Sequence, residues 1–155
     1  MGKYDKYIIT TPRPADMTHF KLPPDIRQSI VWGDSSAAEG MCNMECIWYF
    51  KPLEGPPRHV ETDTDEILAF IGTNFEDPSD LGGKIVLQLG DEEHVLEKSC
   101  FVYIPQGLYH CPYQVVEVRT PILHMAITPQ RKLARRRNAD GSHIVASQPE
   151  RAEGK

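Results

Sequence analysis

The sequence predicts an all-β chain, a closed barrel or double-sheet sandwich, on three observations. First, 13 prolines and 11 glycines interrupt nearly every candidate helix. Second, the segments between them are short runs of alternating or continuous apolar residues, about eight to ten in number at roughly ten-residue spacing. Third, 155 residues make one domain of ordinary globular composition, with 40% hydrophobic and 25% charged residues, which excludes wholesale disorder. No apolar run approaches the ~18 residues of a membrane-spanning helix. No apolar stretch follows the charged Met1–Lys6 start, so no secretory signal is expected.

Taken in order, residues 6–9 read as a short strand stopped by Pro12 and Pro14. Pro23-Pro24 keeps 15–27 irregular, and Gln28–Trp32 forms a second strand closed by Gly33-Asp34-Ser35-Ser36. In 41–50, Cys42, Met44, Cys46, Trp48 and Phe50 share one face, and Asn43, Glu45, Ile47 and Tyr49 share the other. This half-buried strand uses Cys42 and Cys46 as small apolar fillers. Further strands are predicted at 58–61, 66–71, 84–89, 94–96, 100–104, 113–118 and 122–128. Turns are predicted at Thr62–Asp65, Asp77–Gly83, Gly90–Glu92 and Pro105–Gly107. The chain divides into an N-terminal extension with edge strands (1–40), a barrel (41–128) and a basic, flexible tail (129–155).

The net charge of −5 is unevenly spread: residues 129–155 hold seven basic residues against three acids, which leaves −9 on the rest. An acidic body argues against nucleic acid as a partner, and no aromatic residue interleaves the Arg131–Arg137 cluster to stack bases. The four cysteines (42, 46, 100, 111) contain no Cys-x-x-Cys pair. Without a secretion signal they read as reduced thiols of a cytoplasmic protein that contacts neither membrane nor nucleic acid.

Two stretches carry chemistry. In His59-Val60-Glu61, His59 and Glu61 project to the same face of a strand, and a short turn returns Glu66 beside them. In Ile104-Pro105-Gln106-Gly107-Leu108-Tyr109-His110, proline and glycine make a tight turn that aims His110. Two imidazoles and two carboxylates on strand ends inside one barrel suit a divalent transition metal. His124 could carry protons from the last strand, Tyr49 and Tyr103 are candidate pocket phenols, and Arg58 and Arg119 are candidate partners of a substrate carboxylate.

These stretches resemble the paired motifs of the cupin superfamily. His59, Glu61, Glu66 and Gly72 occupy the first motif, H-x-H-x(3,4)-E-x(6)-G, with the last gap one residue short. Ser99, Pro105, Gly107 and His110 occupy the second, G-x(5)-P-x-G-x(2)-H-x(3)-N, with Gln114 where Asn stands in the motif. The resemblance implies a single-domain cupin jelly-roll barrel and a metal held by His59, Glu66 and His110. Glu61 replaces the usual second histidine. As a ligand it would neutralise the site and favour Fe(II) or Mn(II); off the metal it becomes a general-base candidate. The implied function is a metal-dependent enzyme acting on a small oxygen-chelating substrate (a carbonyl, enol, phenol or carboxylic acid). Its chemistry would be isomerisation, lyase chemistry or dioxygenation. The alternative is a non-catalytic cupin that binds a small ligand or senses a metal. Single-domain cupins commonly pair, so a homodimer is expected, with the N-terminal strands covering or exchanging an edge.

Overall fold

The computed structural model describes residues 2–14, 22–61, 64–129, 135–138 and 143–145. The strands are β1 (Arg27–Gly33), β2 (Asn43–Tyr49), β3 (Leu53–Glu54), β4 (His59–Glu61), β5 (Glu66–Ile71), β6 (Asp80–Leu89), β7 (Glu92–Lys98), β8 (Cys100–Ile104), β9 (His110–Val118), β10 (Ile122–Thr128), β11 (Arg135–Asn138) and β12 (His143–Val145). The only helix among the described residues is a 3-10 turn at Asp5–Tyr7, and no helix is long and apolar enough to cross a membrane.

All pairing is antiparallel. One sheet has the order β1-β2-β10-β5-β8; the other runs β12-β11-β4-β9-β6-β7, with β3 also on β9. β4 and β5, β5 and β6, β7 and β8, β8 and β9, and β9 and β10 fall in different sheets, so the chain crosses repeatedly between two layers whose inner faces form one interior. Alternation supplies that interior. Leu68 and Phe70 of β5, Ile85 and Leu87 of β6, Val115 of β9 and Ile122 of β10 are all buried. Each contributes about 1.5–3 kcal/mol by leaving water.

The two motif stretches brace one another. Gly72 lies where a Cβ would come 2.0 Å from the Asp80 carbonyl oxygen, so only a bare α-carbon fits this crossing between the sheets. Its N–H donates to Ser99 Oγ at 3.0 Å, which joins the ends of both motifs. In the turn that delivers His110, Gly107 has φ +86° and Leu108 N–H donates to the Pro105 carbonyl at 3.1 Å. Gln106 N–H reaches Asp65 Oδ1 at 2.9 Å, which ties this turn to the foot of β5 beside Glu66.

Several expectations change. Residues 6–9 do not form a strand: Asp5–Tyr7 is a 3-10 turn, and Ile8 is exposed with no sheet edge to bury it against. β6 begins at Asp80, inside the predicted turn, because Gly82 and Gly83 let Thr120 and β9 approach the backbone closely. In β2 the alternation holds, but Asn43, Glu45, Ile47 and Tyr49 face inward while Met44 and Cys46 lie half-buried outside. The interior here is a polar-walled cavity, and Asn43 and Glu45 find hydrogen bonds in it. In the basic C-terminal region, the backbone of β11 pairs with β4, Arg136 opposite Glu61 and Asn138 opposite His59. Arg131 and Lys132 lie outside the described residues.

Candidate metal centre

β4 and β9 bring the two histidines together. His59 and His110 are direct cross-strand partners, with ring centroids 4.3 Å apart and both side chains buried. Each ring is fixed by its own chain two residues upstream. His59 Nδ1 donates to the Pro57 carbonyl at 2.7 Å, and His110 Nδ1 donates to the Leu108 carbonyl at 3.0 Å. A carbonyl only accepts, so these bonds put the proton on Nδ1 and leave Nε2 with a lone pair. From the opposite sheet Glu66, at the start of β5, places Oε2 at 2.8 Å from His110 Nε2, both side chains 1% exposed. With a neutral ring, two lone-pair atoms would face each other out of water, and a cation between or beside them would satisfy both. A proton would serve, and so would a metal ion, for which backbone-anchored imidazoles and a carboxylate are suitable donors. The residues present therefore fit the metal that the cupin resemblance implies.

Cys111 joins them. Ligand atoms of His59, His110 and Cys111 all lie within 4.8 Å of one another, and Cys111 is buried. Its position follows from an irregularity in β9. Leu87 pairs with Tyr113 and Leu89 with His110, so three residue steps on β9 oppose two on β6. This is a β-bulge at Cys111–Pro112, with Cys111 at φ +61°. The bulge breaks strict alternation, and His110, Cys111 and Tyr113 all turn inward.

Tyr113 contributes to a second cluster. Its hydroxyl hydrogen-bonds that of Tyr49. Burial pushes both phenols well above the ordinary tyrosine range, so both keep their protons near neutral pH. His124 stacks between Tyr49 and Phe70, at 5.3 and 4.6 Å, with Nδ1 donating to the Ala69 carbonyl at 3.0 Å. A third cluster lies on the same cavity wall. Glu45 meets Arg13 at 3.1 Å and Arg27 at 3.8 Å and accepts from Ser29 Oγ at 2.8 Å. One cavity is lined by all three groups: His59, Glu66 and His110; Tyr49, Tyr113 and His124; Arg13, Arg27 and Glu45.

The structure thus brings His59, Glu66, His110, His124 and Tyr49 to a common cavity. Glu61 ends β4, and its side chain lies outside the described residues. Tyr103 is not a pocket phenol. On β8, Ile104 turns inward and Tyr103 outward, 60% exposed, where its hydroxyl pairs with Asp65. That contact and the Gln106 N–H hold the Asp65 carboxyl below the usual carboxylate range, the N–H having the larger effect. Arg58 lies over the Tyr109 ring and bonds the Gly90 carbonyl, and Arg119 pairs with Asp80 and Glu117 on the surface. Neither lines the cavity, whereas Arg13 and Arg27 do. Sequence reading misses Cys111, Tyr113, Arg13, Arg27 and Glu45. Pro112 inside an apolar strand is the one local sign of the bulge.

No protein-family model matches the chain, and no curated protein matches it. Solved structures do. Pumpkin seed globulin superposes with a TM-score of 0.53 at 7% identity, over 81% of this chain and 31% of its own. A structure of oxalate oxidase with the substrate analogue glycolate gives 0.49 at 12%, over 79% of this chain; the present chain spans only 56% of its length. A sugar phosphate isomerase described as from a cupin superfamily, from Silicibacter pomeroyi, gives 0.48 at 15%, over 83% of each chain. At these identities the likeness is one of fold. Two antiparallel sheets in crossing order, with both motif stretches meeting across their interior, give the chain a double-sheet β-barrel of the kind that the cupin resemblance implies.

Proposed function

We propose that this chain is a metal-dependent enzyme acting on a small anionic substrate that chelates through oxygen. The observation that carries the reading is the buried cross-strand pair His59–His110 in one cavity with Glu66, whose Oε2 lies 2.8 Å from His110 Nε2. His59, His110 and Glu66 would hold the ion, Fe(II) or Mn(II), with Glu61 as a further ligand or a general base. Bound there, a divalent metal supplies Lewis acidity, polarising a carbonyl, enol or carboxylate oxygen. The protein does the rest. Arg13 and Arg27 face the same cavity and suit a carboxylate or comparable anionic group, against which Glu45 holds them in place. The Tyr49 and Tyr113 phenols, kept protonated by burial, stabilise an oxygen on which negative charge develops. His124, fixed by stacking and by its bond to Ala69, stands beside them as the group to move a proton. Protonated phenols and a histidine at one site favour isomerisation or lyase chemistry, in which a proton is shifted and no oxidant is consumed.

Metal content of the purified chain tests this directly. Stoichiometric Fe or Mn is expected in the parent, and none in His59→Ala or His110→Ala when both variants are folded by circular dichroism. A folded parent that takes up no divalent metal, even after incubation with Fe(II) or Mn(II), removes the reading.

A further inference from the structure

We infer that Cys111 is a protein ligand of this metal, a thiolate that sets which metal the site prefers; the inference rests on the metal-centre reading above. Three independent features point there. The first is distance: Cys111 lies with His59 and His110 in a group whose ligand atoms fall within 4.8 Å of each other, the span of donors around a single ion. The second is backbone. A regular strand would send Cys111 to the face opposite His110, yet the bulge gives both residues the inward direction and holds Cys111 at φ +61°, a conformation side chains seldom adopt. Bulges of this kind re-aim side chains beside functional sites. The third is the complementary placement of Glu66. Its carboxylate approaches His110 from the facing sheet, while Cys111 approaches from β9 itself. His110 therefore stands between a hard partner on one side and a soft partner on the other.

The chemistry follows from donor softness. A His-His-Glu set suits Mn(II) as well as Fe(II), whereas a sulfur donor shifts preference away from Mn(II) toward Fe(II), Co(II) and Zn(II). On binding, the metal–sulfur bond forms as the S–H bond breaks, and the proton leaves to solvent. Cys46, half-buried on the outer face of β2, has no such neighbours among the described residues and is the internal control.

Cobalt(II) reports the ligand directly, because a thiolate bound to it gives an intense near-ultraviolet charge-transfer band that nitrogen and oxygen donors do not give. Titration of the metal-free chain with Co(II) is expected to produce this band in the parent and in Cys46→Ser. In Cys111→Ser the band is expected to vanish while visible ligand-field absorption persists, since His59, His110 and Glu66 still bind. Affinity for Zn(II) should fall by at least about tenfold in Cys111→Ser, the scale on which even outer partners of a metal matter, and affinity for Mn(II) much less. Ligand-field absorption without the band in the parent, or a band unchanged in Cys111→Ser, overturns the inference and leaves the metal centre standing. No Co(II) uptake by the folded parent overturns both.

Discussion

The hydroxyls of Tyr49 and Tyr113 meet inside the barrel, 64 positions apart in the chain. Each satisfies the other where water cannot. Removing one leaves its partner buried without its bond, so Tyr113→Phe should lower unfolding free energy by about 1–3 kcal/mol. The double variant Tyr49→Phe/Tyr113→Phe leaves no orphaned hydroxyl, and its loss should be smaller than the sum of the two single losses. Urea unfolding of the four proteins checks this; strict additivity would show that the pair is not coupled. Tyr49 was legible in the sequence as a phenol near a strand end, although the alternation of 41–50 did not show that its face looks inward. Tyr113 was not, for a definite reason. It stands three positions after His110, and on a regular strand an odd offset means the opposite face. The bulge at Cys111–Pro112 reverses that parity, which also hides Cys111. Arg13 and Arg27 escaped notice because their contact with Glu45 is long-range, and Arg58 and Arg119 merely stood nearer the motifs along the chain.

At the scale of elements, the strands β5, β8 and β10 coincide with their predicted bounds, since each is a continuous apolar or alternating run closed by turn residues. β3 was missed because two residues carry no period. Predicted faces fared less well than predicted strands. Periodicity shows that β2 has two faces without showing which one looks at a cavity, and an interior lined with Asn43 and Glu45 is not what apolar patterning leads one to expect. The motif glycine has a sharper consequence. Because a Cβ on Gly72 would lie 2.0 Å from Asp80 O and 2.7 Å from Leu81 C, both backbone atoms, no side-chain rearrangement relieves the clash. Gly72→Ala should therefore destabilise the chain by about 3 kcal/mol or more, at or beyond the upper end for overpacking. Ser99→Ala removes the acceptor for the Gly72 N–H and the donor to the Pro78 carbonyl, and should cost about 1–2 kcal/mol. Thermal or urea denaturation ranks the two, and a Gly72→Ala chain as stable as Ser99→Ala would mean that the crossing of the sheets is not tight.

For the molecule as a whole, the site is built across the fold. Glu66 belongs to the sheet of β1, β2, β10, β5 and β8, and His59 and His110 belong to the sheet of β4, β9 and β6. Segments read as an N-terminal extension take part as well, since Arg13 and Arg27 line the cavity and Trp32 N–H bonds the Thr11 carbonyl. A metal ion held by Glu66 and the two histidines would be a clamp between the layers, one that binds only when both sheets are in place. Anything that binds the folded chain and not the unfolded one stabilises it by mass action, by about 2.7 kcal/mol at a free concentration 100 times Kd. In a domain of this size that corresponds to a rise in Tm of roughly 5–10 °C. The metal-loaded chain should melt that much above the chelator-treated chain, and the increment should grow logarithmically with free metal. Glu66→Gln keeps the shape of the side chain while removing its charge, so it should shrink the increment; His110→Ala should abolish it. Equal melting of the loaded and stripped parent would show that the ion does not join the two sheets. An increment that survives in Glu66→Gln but disappears in Cys111→Ser would place the hold on the metal within β4 and β9 alone.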